Sequence, residues 1–378
     1  MPPDSKPIGS KTTDPMPTGP KPADPLPVGT TITAQAPCRV DLAGGTVDIW
    51  PLYLFHPGAV TVNFAVNILT RCRITRLPGR VIRLISLDTR RQEEFPSLEA
   101  LSSANKHKHA LAAYLVRFFA PQGGLEIETN SESPAGAGIS GSSALMIATT
   151  AALARLTGRE LGPERLRMEK IREIAQNIEA QLIRVPTGCQ DYYPALYGGV
   201  SAIHLEPDGI HHQAIRVDAE ELDRRFVLAY TGAPRQSGIN NWKVFQAHID
   251  RDRRVFRNFE SITAIARAMH QALAKADWSE VARLLKEEWK LRRTNAPRIS
   301  TPLIDKLIKA AASNGSLAAK VCGAGGGGCV VFLCEPEARE RVAAAVAAHG
   351  GQVLPAKVAR EGLRVEPEIG SSGDRVIG

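Results

Sequence analysis

A chain of 378 residues is long for one hydrophobic core and comfortable for two domains, and its 43% hydrophobic and 23% charged content is that of an ordinary globular protein. No stretch approaches the ~18 uninterrupted apolar residues of a membrane helix, which argues against a membrane partner. The formal charge of +8 suits a negatively charged small substrate but is met equally well by solvated surface lysines and arginines. There is no aromatic-interleaved basic run and no zinc-finger spacing, so nucleic acid is not the expected partner. Cys38, Cys72, Cys189, Cys322, Cys329 and Cys334 show no C-x-x-C spacing and read as reduced thiols of a cytoplasmic protein.

Residues 1–30 repeat with a period of ten, through Asp4, Asp14-Pro15 and Asp24-Pro25, each leading to Gly9, Gly19 or Gly29. Such proline-rich sequence cannot bury enough apolar area to offset chain entropy, and is expected to be a disordered extension. Strand patterns then cover Thr31–Leu42, Gly58–Ile68, Arg71–Leu77 and Val81–Leu87. A helix is expected over Lys106–Phe119, a strand over Leu125–Asn130, and helices over Gly141–Leu156 and Pro163–Ile183. Strands follow at Val200–Leu205, His211–Val217 and Phe226–Tyr230. Beyond them Val255, Phe259, Ile262, Ala266, Met269 and Leu273 mark one long amphipathic helix. A helix from Trp278, another over Pro302–Ser313, and strands Ala319–Cys322 and Cys329–Leu333 complete the pattern. Strands and helices without strict alternation predict an α+β fold. The boundary near Asp218–Arg225 divides it into 31–220 and 221–378.

Two glycine-rich loops stand apart, Pro134-Ala-Gly136-Ala137-Gly138-Ile-Ser140-Gly141-Ser142-Ser143 and Gly323-Ala-Gly325-Gly326-Gly327-Gly328. The first runs straight into a helix, so its amides and the helix dipole can point at one anion. Both formally match the dinucleotide fingerprint, but after Gly141 one helix runs into another with no strand between, contrary to that fold. Neither loop ends in Gly-Lys-Ser/Thr, the P-loop mark. Ser142 and Ser143 sit on the first helical turn, where a hydroxyl can either cap the helix or ligate a nucleotide's magnesium ion.

Glu179 borders the apolar stripe of its helix, next to Ile178 and three residues before Leu182. A carboxylate there needs a cation, either Arg172 or Arg184 in a salt bridge or a metal. Pro186 ends that helix and Gly188 permits a tight turn presenting Gln190 and Asp191. Asp191 is a turn residue or, beside a phosphate loop, a general base for a hydroxyl nucleophile. On the first strand Arg39 and Asp41 share the face opposite Cys38 and Val40, and Gly44-Gly45 turns the chain towards Asp48. Arg39 can neutralise developing phosphoryl charge and Asp48 can accept from sugar hydroxyls, or either is a solvated edge residue.

Ala36-Pro-Cys-Arg39-Val-Asp-Leu-Ala-Gly44-Gly45-Thr-Val-Asp48, then Pro134 to Ala144, then Lys320-Val-Cys-Gly323-Ala-Gly-Gly-Gly-Gly328 resemble, in order, the three signature motifs of the GHMP kinases. Tyr230-Thr231-Gly232-x-x-Arg235 and Glu288-Trp289-x-x-Arg292 look closest to the members acting on heptose 7-phosphate and related sugars. The resemblance implies a ribosomal-protein-S5-like N-terminal domain, a ferredoxin-like C-terminal domain and an active site in the cleft between them. It implies ATP held by Pro134, Gly136, Ala137, Gly138, Ser140, Gly141, Ser142 and Ser143, with Mg²⁺ on Ser143 and Glu179. Asp191 would be the base, assisted by Arg39. Asp48, Gly45, Gln190, Arg235, Gly325 and Gly326 would meet a sugar or sugar-phosphate acceptor in a monomer or homodimer. Arg235, Arg292 and Arg293 could meet an acceptor phosphate, and equally a carboxylate, which keeps a mevalonate-type acceptor open. A non-catalytic nucleotide- or sugar-binding regulator on the same scaffold is the other alternative. Thr46 stands where galactokinases carry a sugar-binding histidine, which points away from galactose.

Overall fold

The computed structural model describes residues 26–159, 161–234 and 237–368. Arg235 and most of the repeating tail lie outside the described residues. In chain order the strands are β1 (Thr31–Ala43), β2 (Ala59–Leu77), β3 (Ile82–Ser86), β4 (Arg91–Phe95), β5 (Gly124–Ser131), β6 (Val200–Glu206), β7 (Gly209–Ile215), β8 (Phe226–Tyr230), β9 (Ser316–Val321), β10 (Cys329–Cys334), β11 (Gln352–Leu354) and β12 (Arg364–Glu368). The helices are α1 (Leu98–Ser103), α2 (Ala110–Phe119), α3 (Gly141–Leu156), α4 (Glu164–Ile183), α5 (Tyr193–Tyr197), α6 (Ala219–Arg225), α7 (Ser237–Ile249), α8 (Arg253–Ala274), α9 (Trp278–Arg292), α10 (Pro302–Ala312) and α11 (Arg339–Ala348). The architecture is α+β, built on two sheets.

The first sheet runs β12-β1-β2-β5-β3-β4, with β6 and β7 continuing from β2. Two expected strands, 58–68 and 71–77, are one strand of 19 residues. No glycine or proline interrupts the chain between Ile68 and Arg71, so β2 stays extended, pairing β6 with one half and β5 with the other. β1 pairs with β2 in antiparallel register that shifts between Pro37 and Cys38 and again between Asp41 and Ala43. Such irregularities re-aim side chains, and they bracket Arg39 and Asp41. α3 packs on β1 and β2, and α4 packs on α3.

The second sheet is antiparallel, ordered β11-β8-β10-β9. α8 is capped by Asp252, whose carboxylate accepts from the N–H groups of Arg254 and Val255. Its expected stripe from Val255 to Leu273 is buried, and it contacts β1 and β2 of the first sheet. One buried cluster accordingly runs from Val40 and Phe64 through Met269 to Phe226 and Leu333. β12 returns to pair with β1, Thr31 opposite Glu368. The last described strand of the 221–378 part therefore belongs to the first sheet.

Candidate active site

The first glycine loop leaves β5 and enters α3 through Ser140, which holds φ +66 with no side-chain cap on the helix. The first-turn amides of α3 have no intrahelical acceptor and are free for an anion. A cavity of about 360 Å³ opens there, walled by Pro134–Gly138 and Ser140–Ser142 on one side and by Ser86, Asp88, Arg91 and Lys108 on the other. All eight expected nucleotide residues sit in this loop and helix start. Ser143 alone faces the neighbouring cavity instead.

That second cavity, about 180 Å³, is lined by Arg39, Asp48, Ser142, Ser143, Glu179, Gln190, Asp191 and Arg292 among others. Ser142 borders both spaces. Glu179 is buried, and neither Arg172 nor Arg184 pairs with it; Arg172 bonds Glu169 and Gln176 instead. Ser142 Oγ donates to Glu179 Oε1 at 2.9 Å and the Tyr192 hydroxyl donates to Oε2 at 2.7 Å. Burial pushes the Glu179 pKa up, opposed by those hydroxyls and by that of Ser143. A buried carboxylate with hydroxyl neighbours and no cationic side chain is a hard-oxygen donor set. It fits Mg²⁺ held jointly with nucleotide phosphates.

Asp191 stands across the cavity. Arg39 donates from Nε at 2.9 Å and from Nη2 at 2.5 Å to Asp191 Oδ1, and from Nη1 at 2.8 Å to the Gly138 carbonyl. One guanidinium thus ties the candidate base to the nucleotide loop. Neither Arg39 nor Asp48 is a solvated edge residue; both are buried. Burial alone would lower the Arg39 pKa, but the Asp191 and Asp41 carboxylates reverse this and the net direction is upward.

Asp48 accepts from the Gln190 N–H at 2.9 Å. A Cβ at Gly188 would lie 2.1 Å from Asp48 Oδ2, so glycine is required for this approach. Burial raises the Asp48 pKa to about 6, the Gln190 N–H opposes it, and the Asp191 and Asp41 carboxylates add to the rise. The Gln190 side chain packs against Gly45, where a Cβ would come within 2.5 Å of its amide nitrogen. Of the second glycine loop, Gly323 and Ala324 line the cavity. Gly325, expected there, is pressed instead on Ile299, and the Gly326 N–H donates to the Ile299 carbonyl.

Behind the cavity lies a charge cluster not read from the sequence as such. Lys320 Nζ sits 2.9 Å from Asp41 Oδ2 and 3.1 Å from Glu288 Oε2, all three fully buried. Arg292 pairs with Glu288 and donates to the Gly45 carbonyl at 2.9 Å. The sequence marked Glu288-Trp289-x-x-Arg292 only through its resemblance to the heptose kinases, not as part of a buried charge cluster.

Residues 105–199 match the family model described as GHMP kinases N terminal domain, and residues 269–352 match GHMP kinases C terminal. The chain is 30% identical over 256 residues to a mevalonate kinase of Thermococcus gammatolerans, covering 65% of this chain and 70% of that one. This chain belongs to the GHMP kinases. It is also 27% identical over 344 residues to D-glycero-alpha-D-manno-heptose 7-phosphate kinase of Campylobacter jejuni, covering 88% of this GHMP kinase and 98% of the relative. In fold it is similar to a D-glycero-D-manno-heptose 1-phosphate kinase from Bacteriodes thetaiotaomicron, with TM-score 0.70, 23% identity, and 89% and 99% of the two chains covered. No helix among the described residues of the kinase is long and apolar enough to cross a membrane.

Proposed function

We propose that this kinase transfers the γ-phosphoryl group of ATP to a hydroxyl of a sugar phosphate of the heptose 7-phosphate kind. The observation that carries the reading is the convergence of Ser143, Glu179 and Asp191 on one small cavity at the mouth of α3, beside the larger space under the first loop. The amides of that loop and of the first turn of α3 hold the phosphates. Mg²⁺ on Ser143 and Glu179 would neutralise charge on the transferring group. Asp191 accepts the proton of the acceptor hydroxyl at Oδ2, the oxygen not engaged by Arg39. Arg39 keeps the base oriented and adds positive charge beside it. Asp48 and Gln190 orient the acceptor. Catalysis of this kind is positioning plus charge neutralisation. The near-complete coverage of the Campylobacter jejuni relative supports the acceptor class, and the buried cysteines suit a cytoplasmic setting.

The test is an ATP-consumption screen over heptose 7-phosphate, fucose, galactose, arabinose, glucuronate and mevalonate. Heptose 7-phosphate is expected to be preferred. Asp191→Asn is expected to lower kcat by about 10²- to 10⁴-fold while ATP still raises the melting temperature. Full activity in that variant removes Asp191 as the base, and turnover of mevalonate alone replaces the acceptor class.

A further inference from the structure

Arg292, carried by helix α9 and named from the sequence as a residue that could meet an acceptor phosphate or carboxylate, lines the acceptor cavity. Its five N–H groups can be followed one by one. Nε and one Nη2 hydrogen serve Glu288 Oε1, the other Nη2 hydrogen serves the Gly45 carbonyl at 2.9 Å, and Nη1 reaches Thr46 Oγ1 at 3.3 Å. Among the described residues that leaves one Nη1 hydrogen without an acceptor, on a side chain only 4% exposed. A buried guanidinium edge facing a cavity asks for an oxygen.

The charge balance says which oxygen. Glu288 and Asp41 offset Arg292 and Lys320 within the cluster behind the cavity, and Asp191 offsets Arg39. Asp48, also lining the space, is left as a carboxylate without a salt-bridge partner among the described residues, whereas Glu179 is the carboxylate assigned to Mg²⁺. An acceptor phosphate placed beside Asp48 would meet arginines already committed to carboxylates and one uncompensated acid. At about 180 Å³ the space is also below the 300–1,000 Å³ usual for ligand sites, so it takes a small group.

Resting on the proposed kinase reading, we infer that Arg292 is a specificity-determining residue that donates to a neutral oxygen of the acceptor sugar beside Asp48, with the acceptor's phosphate held outside this cavity. Asp48 accepts from a hydroxyl and Arg292 donates to its neighbour, a donor–acceptor pair shaped for vicinal hydroxyls rather than for an anion.

The test compares D-glycero-D-manno-heptose 7-phosphate with the same sugar lacking phosphate, in wild type and Arg292→Lys, which keeps a charge for Glu288 but loses the planar fork. The acceptor KM is expected to rise by about 10- to 100-fold, the loss of one charge-assisted hydrogen bond, by the same factor for both sugars and with the ATP KM unchanged. A far greater loss for the phosphorylated sugar would make Arg292 the phosphate reader and overturn the inference. So would an unchanged KM for both. Should the variant fail to fold, wild type answers with inorganic phosphate as probe: millimolar phosphate is expected not to compete with the unphosphorylated sugar, and competition overturns the inference. If the screen returns another sugar as substrate, the heptose reading fails while the KM effect of Arg292→Lys on that sugar still stands. A protein that turns over no sugar ends both.

Discussion

Residues 134–143 and residues 323–328 are both glycine-rich turns leaving a β-strand, and both hold glycines at positive φ, Gly136 at +69 and Gly138 at +77 in one, Gly325 at +75 and Gly328 at +79 in the other. Their surroundings differ. The first borders open space, and its helix-start amides face a cavity. Past Gly323 and Ala324, which line the smaller cavity, the second is enclosed by protein: the Gly328 N–H donates to the Ala233 carbonyl, the Gly328 carbonyl accepts from Thr231, and a Cβ at Gly328 would sit 2.6 Å from the Ala137 carbonyl. Cys329 N–H then reaches that same Ala137 carbonyl at 2.6 Å, joining the two loops. Glycine marks a backbone that something must approach closely. In the second loop the approaching group is the other half of the molecule, and in the first the proposed one is the phosphate chain of ATP.

The largest effect expected from this difference concerns Lys320, which β9 carries three residues before Gly323. Lys320→Met leaves Asp41 and Glu288 buried without their shared cation and should cost about 3–5 kcal/mol, read by denaturant unfolding. A loss below about 1 kcal/mol, the scale of a surface pair, would mean that the cluster does not brace the second loop. Gly328→Ala comes next. Left-handed strain and the contact with Ala137 together should cost about 3 kcal/mol, lowering the melting temperature while the ATP KM of the remaining folded protein stays near wild type. Gly136→Ala should do the reverse: about 1 kcal/mol of stability and a severalfold rise in the ATP KM. Two variants that behaved alike would dissolve the contrast between the loops.

Much of the scaffold could be read from periodicity. Helix 141–156 and strand 226–230 have the bounds their patterns gave, because the glycine loop ends at Gly141 with no glycine or proline from Ser142 to Leu156, and Phe226–Tyr230 is a continuous apolar run. The short α5 went unread, since five residues beginning at Tyr193-Pro194 carry no period. β12 went unread because Arg-Val-Glu-Pro-Glu carries one β-branched residue and a proline; its place comes from pairing with residues more than 300 positions earlier, and proline is tolerated there at a sheet edge. In the site, single motifs gave residue types but not partners. Arg39 with Asp191 and Glu179 with Ser142 and Tyr192 were each assembled from separate segments. The cluster of Asp41, Glu288, Arg292 and Lys320 joins β1, α9 and β9, and burial of a charge is a property of the packed fold that local sequence does not carry.

The last expected effect is a pH dependence of acceptor binding. Asp48 titrates near 6 in the fold against an ordinary 3.8, so the native state favours its protonated form. The sign follows: its contribution to stability is fully present below about pH 3.8 and is lost as pH rises through about 6, a difference of about 3 kcal/mol. Acceptor hydroxyls donating to the ionised carboxylate recover part of that cost and lower its pKa in the complex. The acceptor KM, measured at saturating ATP, should therefore rise about tenfold between pH 7 and pH 5. A sugar phosphate has its own second ionisation near pH 6, so the measurement belongs on an unphosphorylated sugar, or on Asp48→Asn. A break near pH 6 that survives in Asp48→Asn comes from another group, and Asp48 would then have no part in the pH dependence of acceptor binding.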